Sequence, residues 1–256
     1  MEIFDPLLNE LDQWNFNGEE ATLWWRDDDA QQTSPALDRM LGLSDRFNLP
    51  LSIAVIPDGM ESSLALSLSS HSQVSVLQHG FSHHNFADPD EKKQELGLHR
   101  DINEVMVQLQ NGFDIIQKSF VEKFVPIMVP PWNRIVEPVQ RSLPEIGIMG
   151  LSTYGPRINP EPVEGMWQIN THVDIVDWKN EKKFAGAISV IDSLVRHLSG
   201  KRSGEYDAAE PTGLLTHHLV HHENSWLFLA QLFELMDDHP AVTWLSAEKV
   251  FQTNWR

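Results

Sequence analysis

With 256 residues, 41% of them hydrophobic, the chain can bury a full core, and one domain spanning 1–256 is expected. Its 37 Asp and Glu against 19 Lys and Arg give a formal charge of -18, which repels phosphate backbones and anionic membrane surfaces and argues against nucleic acid as a partner. Cysteine is absent, so disulfides and thiolate catalysis are excluded.

The chain opens Met1-Glu2-Ile3-Phe4-Asp5-Pro6, with neither a basic nor an apolar leader region, and no stretch approaches the roughly 20 apolar residues of a membrane span; a cytoplasmic location is expected. Short apolar runs follow at 21–25, 51–56, 74–77, 125–129, 148–152, 167–173, 213–215 and 241–245. Such runs suit strands of a parallel sheet, covered on both faces. Between them lie helix signals. Ser34-Pro35 supplies an N-cap and a first-turn proline, Ile102, Val105, Met106, Leu109, Phe113 and Ile116 recur at spacings of three and four, and 185–198 and 226–235 read the same way. Strand and helix alternating seven or eight times predicts a closed or partly closed α/β barrel, with its site at the carboxyl ends of the strands.

Polar residues fall where such a site would be. Asp28 and Asp29, His79, Trp132 with Arg134, Asp174 with Asp177, and His217 each lie at or just past the end of a different run. His79 and His83, four positions apart, together with a carboxylate of the Asp27-Asp28-Asp29 triplet, make a ligand set for one divalent metal that keeps a water. Each residue alone has an ordinary explanation, since loops start polar and Asp and Asn cap helices. Their joint placement predicts a metal-dependent hydrolase; a non-haem iron oxygenase, which uses the same two-His, one-carboxylate triad, is the rival from another class.

Five segments then stand in a telling order: Arg26-Asp27-Asp28-Asp29, His79-Gly80-Phe81-Ser82-His83, Pro130-Pro131-Trp132, Asp174-Ile175-Val176-Asp177-Trp178 and Leu215-Thr216-His217. They resemble the five motifs of the polysaccharide deacetylase (NodB-homology) family, carbohydrate esterase family 4, over about residues 21–218. The resemblance implies a distorted (β/α)7-type barrel and one divalent metal, commonly zinc, with Co2+, Ni2+, Mn2+ or Fe2+ as alternatives. It also implies hydrolytic removal of an acetyl or formyl group from an aminosugar or related carbohydrate.

Carried over by position, with Arg26 two places before the aspartate pair, the resemblance makes Asp28 the general base and Asp29, His79 and His83 the metal ligands, with Asp27 as base and Asp28 as ligand the alternative register of the triplet. His217 becomes the general acid, Asp174 and Asp177-Trp178 the group that tunes it, and the Trp132 backbone amide the oxyanion donor. Asn85 is expected to fix its loop or a substrate hydroxyl. The family's third motif usually opens with an arginine that pairs with the base, and here that place holds Val129. Arg134 or Arg26 would have to substitute, and Arg134 is favoured because its loop carries Trp132. The missing arginine leaves a second alternative, a catalytically silent metal-containing carbohydrate-binding protein. The partner expected is a small-molecule or carbohydrate substrate, and the 9 tryptophans could line either a sugar cleft or an oligomer contact.

Overall fold

The apolar runs become strands. They are β1 (Ala21–Ala30), β2 (Leu51–Val55), β3 (Val74–His79), β4 (Phe124–Val129), β5 (Gly150–Leu151), β6 (Trp167–Gln168), β7 (Val173–Asp174), β10 (Thr212–Thr216) and β11 (Val242–Trp244), with a small β8 (Val176–Asp177) and β9 (Lys183–Phe184) hairpin between β7 and β10. The computed structural model from which these elements are taken describes residues 2–252.

Every pairing in the main sheet is parallel, in the order β6-β5-β4-β3-β2-β1-β10-β7, with β11 beside the start of β1. The run expected as a single strand over 167–173 is split in two. Its first part pairs with the β5 side, where the Ile169 amide donates to Leu151 and the Thr171 amide to Thr153, both at 3.0 Å. At His172 it changes neighbour, its amide donating to Gly213 at 2.8 Å, and Val173 then pairs with Leu214. One interrupted segment therefore joins the two ends of the sheet. Counted as a single stave, it gives the α/β fold seven staves, the distorted (β/α)7 barrel in one domain.

Strand alternation divides the core. Trp24, Ala54, Leu77, Val125, Ile127, Val129 and Ile169 cluster inside the barrel with Ala247, Val250 and Phe251 of α8 (Ala247–Gln252), which closes the end opposite the strands' carboxyl termini. Gly213 leaves room for the Trp24 indole, since a Cβ there would stand 2.6 Å from its nitrogen. Leu23 and Trp25 point the other way, into the outer layer, where Trp25 packs on Phe233 with ring centroids 4.7 Å apart.

The helices follow local signals. In α2 (Pro35–Arg46) the Ser34 hydroxyl accepts from the Leu37 amide at 3.0 Å, and in α4 (Ile102–Ser119) the Asp101 carboxylate caps the Asn103 amide at 2.7 Å while Val105, Leu109 and Ile116 bury one face. Next come α6 (Ala187–Ser203) and α7 (Glu223–Asp237). Four helices escaped the sequence reading: α1 (Asp5–Phe16), which buries Leu7, Leu11 and Trp14 and packs on α6, the short α3 (Ser62–Ser69) and α5 (Glu137–Ser142), and α8. No helix among the described residues is long and apolar enough to cross a membrane.

Candidate active site

At the carboxyl end of β1 the backbone departs from alternation. Asp27 pairs with Ile53 and Ala30 with Val55, so three steps of β1 face two of β2, and Asp29 has φ 75. This β-bulge turns consecutive carboxylates, Asp28 and Asp29, into the same cleft, which a regular strand would forbid. Asp27 points away, its carboxylate accepting from the Thr216 hydroxyl at 2.7 Å and the His218 amide at 3.0 Å and bonding the His218 ring. Burial works to raise its pKa, but the charge and hydrogen bond of His218 outweigh that and hold Asp27 ionised. Of the two registers open in the sequence, only Asp28 with Asp29 faces the cleft.

His79 ends β3 and is buried; His83 lies four residues on, at φ 55. Their Nε2 atoms stand 3.1 and 3.3 Å from the same Asp29 oxygen, Oδ1. The loop between them is held from beneath. Glu95, 1% exposed, accepts from the Phe81 amide at 3.3 Å and from the Ser82 amide and hydroxyl at 2.7 and 3.0 Å. Gly80 adopts φ 54 directly above this carboxylate, where a Cβ would come within 2.2 Å of it. Trp132, on a turn at φ 56, tilts its ring against His83 at 4.5 Å.

The donor set suits a divalent cation. The Val129 carbonyl only accepts, so the 2.8 Å bond from His79 Nδ1 puts the proton there and leaves the Nε2 lone pair facing the Asp29 carboxylate. A lone pair against an anion requires a shared proton or a metal ion between them. For Asp29 the effect of burial is outweighed by the hydrogen bond and charge of His79, with His217 and His83, and its pKa lies well below the carboxylate range; burial and the neighbouring His79 push His83 down to about 4. The His83 shift favours the neutral imidazole that a metal ligates, whereas for His79 burial is outweighed by the hydrogen bond to Asp29 and the charges of Asp28 and Asp29, which raise its pKa, so without an ion a proton is held between His79 and Asp29.

A second grouping, His172, His197 and Glu210, has comparable spacing and complete burial. Here the tautomer is wrong. His172 Nδ1 accepts the Gly213 amide proton at 2.9 Å, so in the neutral ring Nε2 carries its proton toward Glu210, 3.2 Å away, with no lone pair for a metal.

Asp28 is 2% exposed and bound bidentately by Arg26, Nε to Oδ1 at 2.8 Å and Nη2 to Oδ2 at 3.0 Å. Arg26 is itself held by the Ser152 hydroxyl at 2.6 Å and by Asn133 Oδ1 at 2.8 Å. The pairing expected of Arg134 is corrected: its Nη1 donates to the Lys93 carbonyl at 2.7 Å at the cleft mouth. Arg26 and Asp28 are two apart on one strand and project from the same face, whereas Arg134 lies beyond the turn that carries Trp132.

His217 lies one residue past β10, with Nε2 4.0 Å from Asp28 Oδ2. Trp178, on the β8–β9 hairpin, meets its ring edge-on at 4.6 Å and donates its indole N–H to Asp174 Oδ2 at 2.7 Å. Asp174 also accepts from the Val176 amide and makes no hydrogen bond to His217, so it reaches that ring through charge and through Trp178. Burial raises the Asp174 pKa despite these contacts. Asp177 is at the rim, capping its own turn at the Lys179 and Asn180 amides. Asn85 accepts from the Ala87 and Gln94 amides and so pins its loop while lining the cleft. Of the histidines that follow His217, His218 bonds Asp27, and His221 Nε2 accepts from the His217 amide at 3.4 Å. Sequence reading missed Glu95, Ser152 and Asn133, which no spacing pattern marks.

The cleft encloses about 1050 Å³ and is lined by Asp28, Asp29, His79, His83, Trp132 and His217 among others. No family model matches the chain, and no curated protein does. Solved structures do. A putative polysaccharide deacetylase from Mycobacterium smegmatis superposes with a TM-score of 0.64 at 13% identity, covering 91% of this chain and 90% of that one. The Bc1960 peptidoglycan N-acetylglucosamine deacetylase gives 0.59 at 16%, covering 91% and 89%. A family 4 acetyl xylan esterase from Clostridium thermocellum, in complex with a cobalt ion, gives 0.55 at 11%, covering 91% of each chain. The fold is therefore that of the polysaccharide deacetylases.

Proposed function

We propose that this protein is a metal-dependent hydrolase that removes an acyl group, acetyl or formyl, from the nitrogen of an aminosugar or related carbohydrate. The observation that carries the reading is the convergence of Asp29, His79 and His83 on one point, beside a carboxylate fixed by a buried arginine and across from His217.

Asp29, His79 and His83 would hold the ion. Bound there, a divalent metal supplies Lewis acidity, lowering the pKa of water and polarising the acyl carbonyl. Asp28 takes the proton of the attacking water; each carboxylate oxygen has two lone pairs, so the Arg26 bonds leave acceptor capacity free. The Trp132 amide would donate to the developing oxyanion, and His217 would give a proton to the nitrogen as the C–N bond breaks, releasing the amine and a carboxylic acid. Asp174 and Trp178 keep the His217 ring in place. Zinc is the metal proposed.

Elemental analysis of the purified protein, together with a screen of N-acetylated and N-formylated aminosugars, tests this. Wild type is expected to hold one divalent ion per chain and to turn over at least one substrate, and Asp28→Asn to keep the metal while losing roughly 10²–10⁴ in kcat. A folded wild type without a stoichiometric ion overturns the reading. Oxygen consumption without acyl release would favour the oxygenase, and metal without turnover the silent binder.

A further inference from the structure

Three cations line the cleft that the hydrolytic chemistry does not use: Lys93, Arg134 and Lys182. Lys93 Nζ stands 5.9 Å from the Trp132 ring, and Arg134 Nη1 reaches the Lys93 carbonyl at 2.7 Å, which gathers both residues at one corner of the mouth. Lys182 enters the same cleft from the β8–β9 hairpin, at φ 53. Elsewhere Arg26, Arg39, Arg141, Arg157 and Arg202 each meet a carboxylate, whereas among the described residues these three cations meet none.

The carboxylates of the cleft are already engaged. Arg26 holds Asp28, the two histidines face Asp29, Trp178 binds Asp174, and Asp177 caps its own turn. Lys93 and Arg134 thus form a cationic corner on a molecule of formal charge -18. A neutral sugar gains little from displacing water around ammonium and guanidinium groups. An anionic one gains a charge-assisted contact at that corner.

We propose that the ligand of this cleft is a carbohydrate bearing an anionic group, phosphate or carboxylate, which Lys93 and Arg134 receive beside Trp132, with Lys182 a third cation in the cleft lining. Calling that ligand the substrate rests on the hydrolytic reading, but its binding is measured without turnover.

Calorimetry on the metal-loaded protein would compare N-acetylglucosamine, N-acetylglucosamine 1-phosphate and N-acetylmuramate. At low salt at least one charged sugar is expected to bind roughly tenfold more tightly than the neutral one, with the advantage shrinking as salt is added. In Lys93→Gln/Arg134→Gln that advantage should collapse, and Lys93→Gln alone, whose ammonium supports no backbone, should remove part of it. A preference confined to phosphate or to carboxylate identifies the source of the charge. Equal binding of all three sugars, including none detectable, overturns the proposal. So does an advantage that survives the double variant, because the anion then sits on the metal. Should the anion preference hold while no acylated aminosugar, charged or neutral, is hydrolysed, it is the hydrolytic reading that falls.

Discussion

Arg26 and Asp28, two positions apart on β1, face each other inside the barrel in a bidentate pair of 2.8 and 3.0 Å. Both are almost wholly buried, so removing the cation strands a carboxylate in a low-dielectric site. Arg26→Gln should lower stability by about 3–5 kcal/mol and depress kcat, and adding Asp28→Asn should restore most of the stability but none of the rate. Urea denaturation alongside the deacylation assay reads both. An unchanged urea midpoint in the single variant would remove Arg26 from the role assigned to it.

The loop from His79 to His83 is shaped by Glu95 beneath Gly80. Glu95→Gln, and more severely Gly80→Ala, should weaken zinc or cobalt binding by roughly 10–100-fold while the barrel stays folded. Competition against a chromogenic chelator measures the loss, with circular dichroism as the folding control. Wild-type affinity in both variants would show that the ligands need no such support.

Acid should destabilise the protein through a group remote from the cleft. Burial, with the charges of His172 and Lys201, pushes His197 down to about 2, and its ring is stacked between His172 and Tyr206. The folded pKa is below the unfolded value near 6.5, so this contribution is complete above about pH 6.5 and is lost as pH falls toward the folded value. Between pH 7 and 5 wild type should lose about 2 kcal/mol from this ring, and His197→Phe, which keeps the stack, should lose correspondingly less. Urea midpoints at the two pH values decide it; parallel pH slopes would refute the assignment.

The inner core depends on α8. Phe251 meets Trp24 edge-on with centroids 6.3 Å apart and lies where a Cβ on Gly150 would come within 2.9 Å. Phe251→Ala should cost about 3–5 kcal/mol, since the surrounding strands cannot collapse into the void. A thermal midpoint within a degree of wild type would show that the plug is dispensable.

Much of the fold is legible in the chain because parallel strands covered on both faces leave uninterrupted apolar runs, and β2, β3 and β4 lie where such runs stand. The stave from Trp167 to Asp174 was not: its change of partner at His172 depends on which strand lies alongside, and hydropathy carries no record of that. Helix α1 also escaped, being an amphipathic segment that precedes the first strand and is held chiefly by its packing on α6.

By itself the sequence determined the identities and order of the chemical groups: two histidines four apart, a run of aspartates, a later histidine, and apolar runs that bring them to the strand ends. Chain order records which groups exist, and local spacing records which can share a turn. Only the tertiary structure decided which aspartates face the cleft, because a one-residue bulge at Asp29 inverts the alternation of the strand. It also decided which arginine meets Asp28 and which histidine cluster can ligate a metal. Those choices depend on strand faces and on tautomers set by the Val129 carbonyl and the Gly213 amide, partners brought close only when distant segments fold together.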